Sequence, residues 1–412
     1  MTLAKIAFRN VLKNRRRSLI TILAIGFGFM AVAMFKGYTH NSYQKITLGA
    51  VFREAPGHLV VFKKGFLEEG KIDPAKYLFS GEQVEALRRL LRAEPAVVWT
   101  APKLALSGLI TNGDTSTIFI ADAMDPVEER AIWAFFPGPS ASRREALPAS
   151  TPFASLLGPQ LARLLRLRVG DGAVLMATTR AGQMNAVDVQ VAGFCPTISD
   201  AIDDKYLKIP LSLARNLYDF DGADRICVLL RDERLTGPVK ASLSRTLGAQ
   251  TGLQLDIRTW ADLSLYYQKV KSFLDVVFLF IFSIVMVIAV MGTFNTMSMA
   301  VYERTREIGT LRALGLKPRS VVRLFATEGA LLGLLGSLLG SALTGVGYLL
   351  LRAAHLTYKP PGVAENVPVE IDLVPRVLAV SFLFFVALSI FSAAVPARRA
   401  ARQSIVDALA HV

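Results

Sequence analysis

Few residues in this chain are of types that do covalent or metal chemistry. It holds two cysteines, Cys195 and Cys227, and four histidines, His40, His58, His355 and His411, none at a ligand spacing. A tetrahedral metal site needs such ligands in close pairs. There is no G-x-x-x-x-G-K-[ST] phosphate loop, since Gly70-Lys71 lacks that context, and neither H-E-x-x-H nor G-x-S-x-G occurs. The sequence therefore predicts a non-catalytic chain with no cofactor or metal of its own. The cysteines sit in apolar surroundings (Val-Ala-Gly-Phe-Cys and Ile-Cys-Val-Leu-Leu), which favours buried thiols, although an oxidising compartment would permit a disulfide.

The chemistry that remains is recognition. The segment Glu303-Arg304-Thr305-Arg306-Glu307-Ile308-Gly309-Thr310-Leu311-Arg312-Ala313-Leu314-Gly315 reads as a short charged helix ended by Gly315, with Ile308, Leu311 and Leu314 on one side. It is either a solvated helix or a docking element whose mixed charges and small apolar ridge suit a cleft on a soluble partner. Glu328 lies in a long apolar run. An acid there is a functional candidate unless it simply reaches the interface five residues past Arg323. Gly329/Gly333 and Gly336/Gly340 are two pairs at spacing four, a pattern that lets helices approach closely in lipid, within one protomer or across a dimer.

These residues are positioned by four apolar runs, Ser18–Phe35, Phe273–Met299, Leu324–Leu351 and Val374–Val395. Each is long enough to cross ~30 Å of hydrocarbon as a helix. Fifteen Lys/Arg against three acids fall in Met1–Arg17, Glu303–Arg323 and the tail after Pro396, and they account for all but two of the net charge of +14. Loops kept in the cytoplasm collect Lys and Arg, so these segments are expected inside, both termini with them. The same placement excludes nucleic acid as a partner, because the rest of the chain is close to neutral. A basic start followed by Ala31-Val32-Ala33 resembles a signal peptide, but the run is too long and three more spans follow.

The expected organisation is a cytoplasmic amphipathic helix (1–17, with Leu3, Ile6, Ala7, Val11 and Leu12 on one face), TM1 and a stalk helix (18–55), an extracytoplasmic domain (56–259) and a stalk helix with TM2 (260–300). A coupling segment (301–323), TM3 (324–351), a short loop (352–373), TM4 (374–395, starting at Pro375 and ending at Pro396) and a cytoplasmic tail (396–412) follow. Proline is absent from Ser18 to Pro56 and from Trp260 to Pro318, so the first two spans are expected to continue beyond the bilayer as stiff rods. The fold class is an α-helical membrane protein with four transmembrane helices and a large α+β extracytoplasmic domain between helices 1 and 2. In that domain, strands are expected at His58–Phe62, Val97–Thr100, Thr117–Ala121, Ala173–Thr178, Val187–Ala192, Ile226–Leu230 and Gln254–Arg258. Helices are expected at Gly81–Ala93, Leu211–Tyr218 and Pro238–Leu247, the last closing a β-α-β unit. Two lobes are expected, one built from both flanks and one inserted between them.

Val301-Tyr302 with the Glu303–Gly315 segment, then Glu328-Gly329 and the glycine-rich span, closely resembles the FtsX-like permease domain of ABC transporters, the MacB and lipoprotein-releasing (LolC/LolE) group. Leu157-Gly158-Pro159-Gln160-Leu161-Ala162, Leu165–Asp171 and Val191-Ala192-Gly193-Phe194 resemble that group's periplasmic core domain. Pro56–Val61 resembles the lipoprotein-releasing branch, and Pro396–Arg402 with Val406-Asp407-Ala408-Leu409 resembles the family's C-terminal end. The resemblance implies a multi-pass protein of the bacterial inner (cytoplasmic) membrane. It implies a second permease, identical or different, and two copies of a cytoplasmic ABC ATPase that bind the ATP and Mg. It leaves open a periplasmic adaptor or lipoprotein carrier. It also implies mechanotransmission: Glu303, Arg304, Arg306, Glu307, Ile308, Gly309, Leu311, Arg312, Leu314 and Gly315 receive ATPase closure, and the stalks deliver movement that extracts or exports a lipoprotein or amphipathic substrate. The alternative is a regulatory FtsX-like relay controlling a periplasmic enzyme. A solute channel is disfavoured, because the spans hold no buried charge pair.

Overall fold

The computed structural model describes residues 3–53, 56–70, 74–136, 146–197, 200–358, 367–404, 406 and 408. Met1, Lys71, residues 359–366 of the loop between the last two spans, Asp407, Leu409 and His411 lie outside them. The chain opens with α1 (Leu3–Lys13) and α2 (Arg15–Leu48), then β1 (Leu59–Lys63), α3 (Gly81–Arg92), β2 (Val97–Thr111), β3 (Ser116–Met124) and α4 (Pro126–Trp133). It continues with β4 (Ala154–Leu157), α5 (Pro159–Leu164), β5 (Gly172–Thr178), β6 (Met184–Phe194), β7 (Tyr206–Pro210), α6 (Leu211–Tyr218), β8 (Arg225–Leu230), α7 (Thr236–Thr251) and β9 (Leu255–Thr259). Four helices complete it: α8 (Leu265–Glu303), α9 (Thr305–Ala313), α10 (Pro318–Ala354) and α11 (Pro375–Arg402). Two compact units result, one from Gln44–Lys269 with Lys359–Val367, the other from Met1–Tyr43, Val270–Tyr358 and Pro368–Val412.

The Gln44–Lys269 unit is α+β. Its strands run in the order β9-β1-β8-β2-β3-β7-β4-β6-β5, and β5 pairs again with β2. The first four strands form two interlocked split β-α-β units: β1 and β2 are both antiparallel to β8, which lies between them, and β8 and β9 are both antiparallel to β1. α3 and α7 cover one face with Val84, Leu87, Leu91, Val239, Leu243 and Leu247 against Leu59, Val61, Ile226 and Val228. α3 starts where expected because Ser80 and Gln83 form a reciprocal capping box. The remaining pairing closes β2-β3-β7-β4-β6-β5 into a six-stranded barrel filled by Leu104, Ile110, Phe119, Leu175, Val189 and Leu207. The two expected lobes thus have separate cores but share one sheet.

Three expectations about this unit are corrected. β2 was expected to stop at Thr100; it runs to Thr111 and joins the lobes. β4 and β7 were not anticipated. Barrel closure depends on Gly108, where a Cβ would stand 2.0 Å from the Met176 carbonyl oxygen. Cys195 and Cys227 are not joined in a disulfide; Cys227 is buried, whereas Cys195, expected buried, is partly exposed.

A charge network threads the face of β2, β3 and β8. Asp122 accepts from Lys103 and, at 2.6 Å, from Arg225, which also bonds Asp224 at 2.8 Å. Burial works against ionised Asp122, yet Lys103 and Arg225 together hold its carboxyl below the ordinary value. Asp224 must share Arg225 with Asp122, and among the described residues its buried Oδ1 has no partner. Burial consequently pushes its carboxyl up to about 6. A carboxyl raised on folding takes up protons in the native state, so it removes stability as pH rises through its folded value. Asp122 acts in the opposite sense, but only as pH falls below its ordinary 3.8. Stability of the intact chain is expected to fall between about pH 4 and 6 by up to about 1.4 kcal/mol per unit, and Asp224→Asn is expected to flatten that slope. Tryptophan fluorescence reads this unit alone, because Trp99, Trp133 and Trp260 all lie in it.

The second unit contains four helices long and apolar enough to cross a membrane. α8, with 39 residues, is about 58 Å long at ~1.5 Å per residue, well beyond a bilayer's need. The rod begins at Leu265 rather than Trp260, because Thr259 and Asp262 cap a separate turn, Trp260–Leu263, that ends at Ser264. The last span was expected to end at Pro396, but α11 continues through it to Arg402. The missing N–H is tolerated because Pro396, Ala397, Ala400 and Ala401 are buried, so tertiary packing holds the helix line. α1 is separated from α2 by Asn14 alone and buries Ala7 and Val11, the latter packing with Met297, Val321 and Phe325.

Candidate coupling site

The turn after α8 is made by Arg304, whose backbone (φ −113°, ψ 12°) leaves the helix for one residue before α9 begins. Thr305 is buried and its hydroxyl donates back to the Val301 carbonyl at 3.0 Å. α9 stops at Gly315, whose φ of +97° is left-handed; Gly315 N donates to Arg312 O and Leu316 N to Leu311 O, each at 3.0 Å. Lys317, in extended backbone and without a side-chain cap bond, precedes α10, which has Pro318 in its first turn. The site is a nine-residue helix held between two sharp turns.

Its two faces differ. Thr305, Ile308 and Gly309 point inward, and Ile308 packs in the cluster of Val11, Val321 and Phe325. Arg306, Glu307, Thr310, Leu311 and Leu314 are exposed, Leu314 to 80%. The expected ridge of Ile308, Leu311 and Leu314 is therefore split: Ile308 belongs to the core, because three residues after Thr305 it shares the inward side, and Tyr302 joins the outer surface at 60% exposure.

Charged groups fasten the segment to its neighbours. Glu303 meets Arg17 of α2 at 2.6 Å, a half-exposed pair of modest strength. Arg304 donates to Glu328 of α10 at 3.3 Å, and Asn10 of α1 donates to the same Glu328 oxygen. Glu328 is only 3% exposed, so it sits inside the unit, and it joins three elements at one atom. Arg312 donates to the Gln403 carbonyl just past α11. The anchors Asn10 and Gln403 escaped sequence reading. The signal for Asn10 was a polar residue on the same face as Ala7 and Val11.

The four glycines are spent within the protomer. A Cβ on Gly329 would lie 2.5 Å from Ala393 Cβ, and one on Gly333 2.9 Å from Ser389 Cβ, so these two seat α11. A Cβ on Gly336 would lie 2.7 Å from Ile25 Cβ, and one on Gly340 2.6 Å from Phe29 Cβ, so these two seat α2. Among the described residues there is no group of three or more His, Cys, Asp or Glu that could hold a metal. The arrangement is an exposed helix face on a firmly tied support.

Residues 18–246 match the MacB-like periplasmic core domain family, and residues 279–405 match the FtsX-like permease C-terminal family. An uncharacterized ABC transporter permease of Methanocaldococcus jannaschii is 22% identical over 98% of this chain and 96% of its own length. The lipoprotein-releasing system transmembrane protein LolC of Xylella fastidiosa is 26% identical over 62% of this chain and 64% of its own. The macrolide export ATP-binding/permease protein MacB of Bdellovibrio bacteriovorus is 26% identical over 55% of this chain, which covers 35% of that longer protein. With four apolar helices, an α+β domain between the first two and both family matches in place, the chain belongs to the FtsX-like, MacB-type permeases of ABC transporters and is a multi-pass membrane protein.

Proposed function

We propose that this permease works by mechanotransmission, coupling ATP hydrolysis on a cytoplasmic partner to movement of the Gln44–Lys269 unit that extracts or exports a lipoprotein or other amphipathic substrate. The coupling segment and both termini lie on the cytoplasmic side, and the working complex contains a second permease and two ATPase copies. The observation that carries the reading is the division of α9 into an exposed face and a root tied to four helices, through Arg17–Glu303 (α2), Arg304–Glu328–Asn10 (α10, α1) and Arg312–Gln403 (α11). A push on Glu307 or Leu311 therefore reaches every tied helix without first bending a loop. The length of α8 supports the second half of the reading, because an unbroken helix is stiff along its axis.

Glu307→Ala and Leu311→Ala are expected to weaken ATPase docking about tenfold or more, the equivalent of one or two lost contacts. Substrate movement should be uncoupled from hydrolysis while the permease still folds. Co-purification with the ATPase, together with a transport assay on lipidated cargo, checks this. Coupled transport at the wild-type rate in both variants would remove α9 from the mechanism.

A further inference from the structure

The end of α10 opposite its basic Lys317–Arg323 turns borders a cavity of about 290 Å³. One wall is the end of α10, with Tyr348 and Arg352 four residues apart on the helix and His355 at the left-handed residue that terminates it. The other is the extended segment that leads into α11 and carries Glu370 and Asp372. Leu351 and Ile371 add apolar lining.

The walls are fixed. Val369 N donates to Leu356 O at 2.8 Å, Asp372 N to Gly37 O at 3.3 Å, and Asn41 Nδ2 to Asp372 Oδ1 at 3.2 Å. A Cβ on Gly37 would lie 2.5 Å from the Asp372 carbonyl oxygen, so α2 and this segment touch backbone to backbone. Within this fixed frame, Arg352 and His355 make no hydrogen bond or ion pair among the described residues. A guanidinium, an imidazole and a phenol on one wall suit a phosphate; on the other, Glu370 and Asp372, each already engaged with the protein, keep further oxygen lone pairs that suit an ammonium group with N–H donors. The cavity stands where the apolar part of α10 ends, the level at which headgroups are expected for a helix that spans a bilayer.

We propose that this cavity binds the headgroup of a phospholipid that carries both a phosphate and a primary amine, in the leaflet opposite the coupling segment. The inference does not depend on the transport reading. Native mass spectrometry of the intact chain in detergent, titrated with dioleoyl phosphatidylethanolamine, phosphatidylcholine or phosphatidylglycerol, tests it. The ethanolamine lipid should bind about tenfold more tightly than the other two, the worth of one charge-assisted hydrogen bond. Arg352→Ala should lose about that factor, and Glu370→Gln should abolish the preference for the primary amine over choline. Arg376→Ala, a basic residue in the first turn of α11 and outside the cavity lining, should bind as wild type does. Equal binding of the three lipids would overturn the proposal, as would an Arg376→Ala loss matching that of Arg352→Ala. Saturation by soluble glycerophosphoethanolamine at the same concentration would reassign the site to a free solute. If Arg352→Ala does not fold, Glu370→Gln decides the question by itself.

Discussion

Replacing Glu328 by alanine is expected to be the most damaging single change at the coupling site. The carboxylate is 3% exposed and accepts from both Arg304 and Asn10. Its removal strands Arg304, whose side chain is only 13% exposed, and breaking one half of a buried pair costs about 3–5 kcal/mol. Glu328→Gln should cost less, because the amide oxygen still accepts from Asn10. The test is a double-mutant cycle of Arg304→Ala and Glu328→Ala, read by thermal unfolding of the intact chain and by coupled transport. The double variant should be less impaired than the sum of the singles by about 1–3 kcal/mol. Strict additivity would show that the two residues act independently, and Glu328 would then be no hub.

The second large effect is steric. Gly329→Val should abolish close seating of α11 on α10, since its Cβ would lie 2.5 Å from Ala393 Cβ and 2.7 Å from Ser389 O. Neither neighbour is the far end of a flexible side chain, so a helix must move. Overpacking of this kind costs about 1–3 kcal/mol, and more where backbone is struck. Gly340→Val should act in the same way against Phe29 and the Gly26 carbonyl oxygen, 2.6 and 2.8 Å away. Gly345 provides the control: nothing lies within 4 Å of its Cβ position, so Gly345→Ala should be neutral or stabilising by up to about 1 kcal/mol. Yield of monodisperse protein and its unfolding temperature separate these outcomes. A Gly329→Val chain as stable as Gly345→Ala would contradict the packing described here.

Hydropathy and length made the four apolar helices legible, because backbone polar groups in lipid leave a chain few options. Local signals likewise placed α3 and α6, each within a residue at its ends. Closure was not legible. The strand was expected to end at Thr100, yet Pro102 beyond it is paired with Ile226, and Gly108 is the point at which β5 crosses closely enough to seal the barrel. That information resides in the approach of a strand about seventy residues away, not in any local window. Pro396 misled for the same reason: its surroundings, not its own propensity, decide whether the helix continues.

At the coupling site, the charge-and-apolar pattern located α9 but could not divide its residues between faces. Ile308 resembles Leu311 in type and is separated from it only by which side the turn at Arg304 directs toward Phe325. The partners of Glu328 were beyond reach, since Asn10 lies 318 residues away in sequence. The glycine pairs announced close approach without naming the neighbour, which proves to be α11 for one pair and α2 for the other.

The central claim is that the outer face of α9 is where a soluble ATPase pushes. Photo-crosslinking amino acids placed singly at Leu314, Glu307 and Ile308 in the intact permease, with the cognate ATPase present, test it most directly. The account predicts crosslinks to the ATPase from 314 and 307, altered when ATP is added, and none from the buried 308. Crosslinks from 308 with silence at 314 and 307, or an ATPase captured only through the Gln44–Lys269 unit, would contradict it.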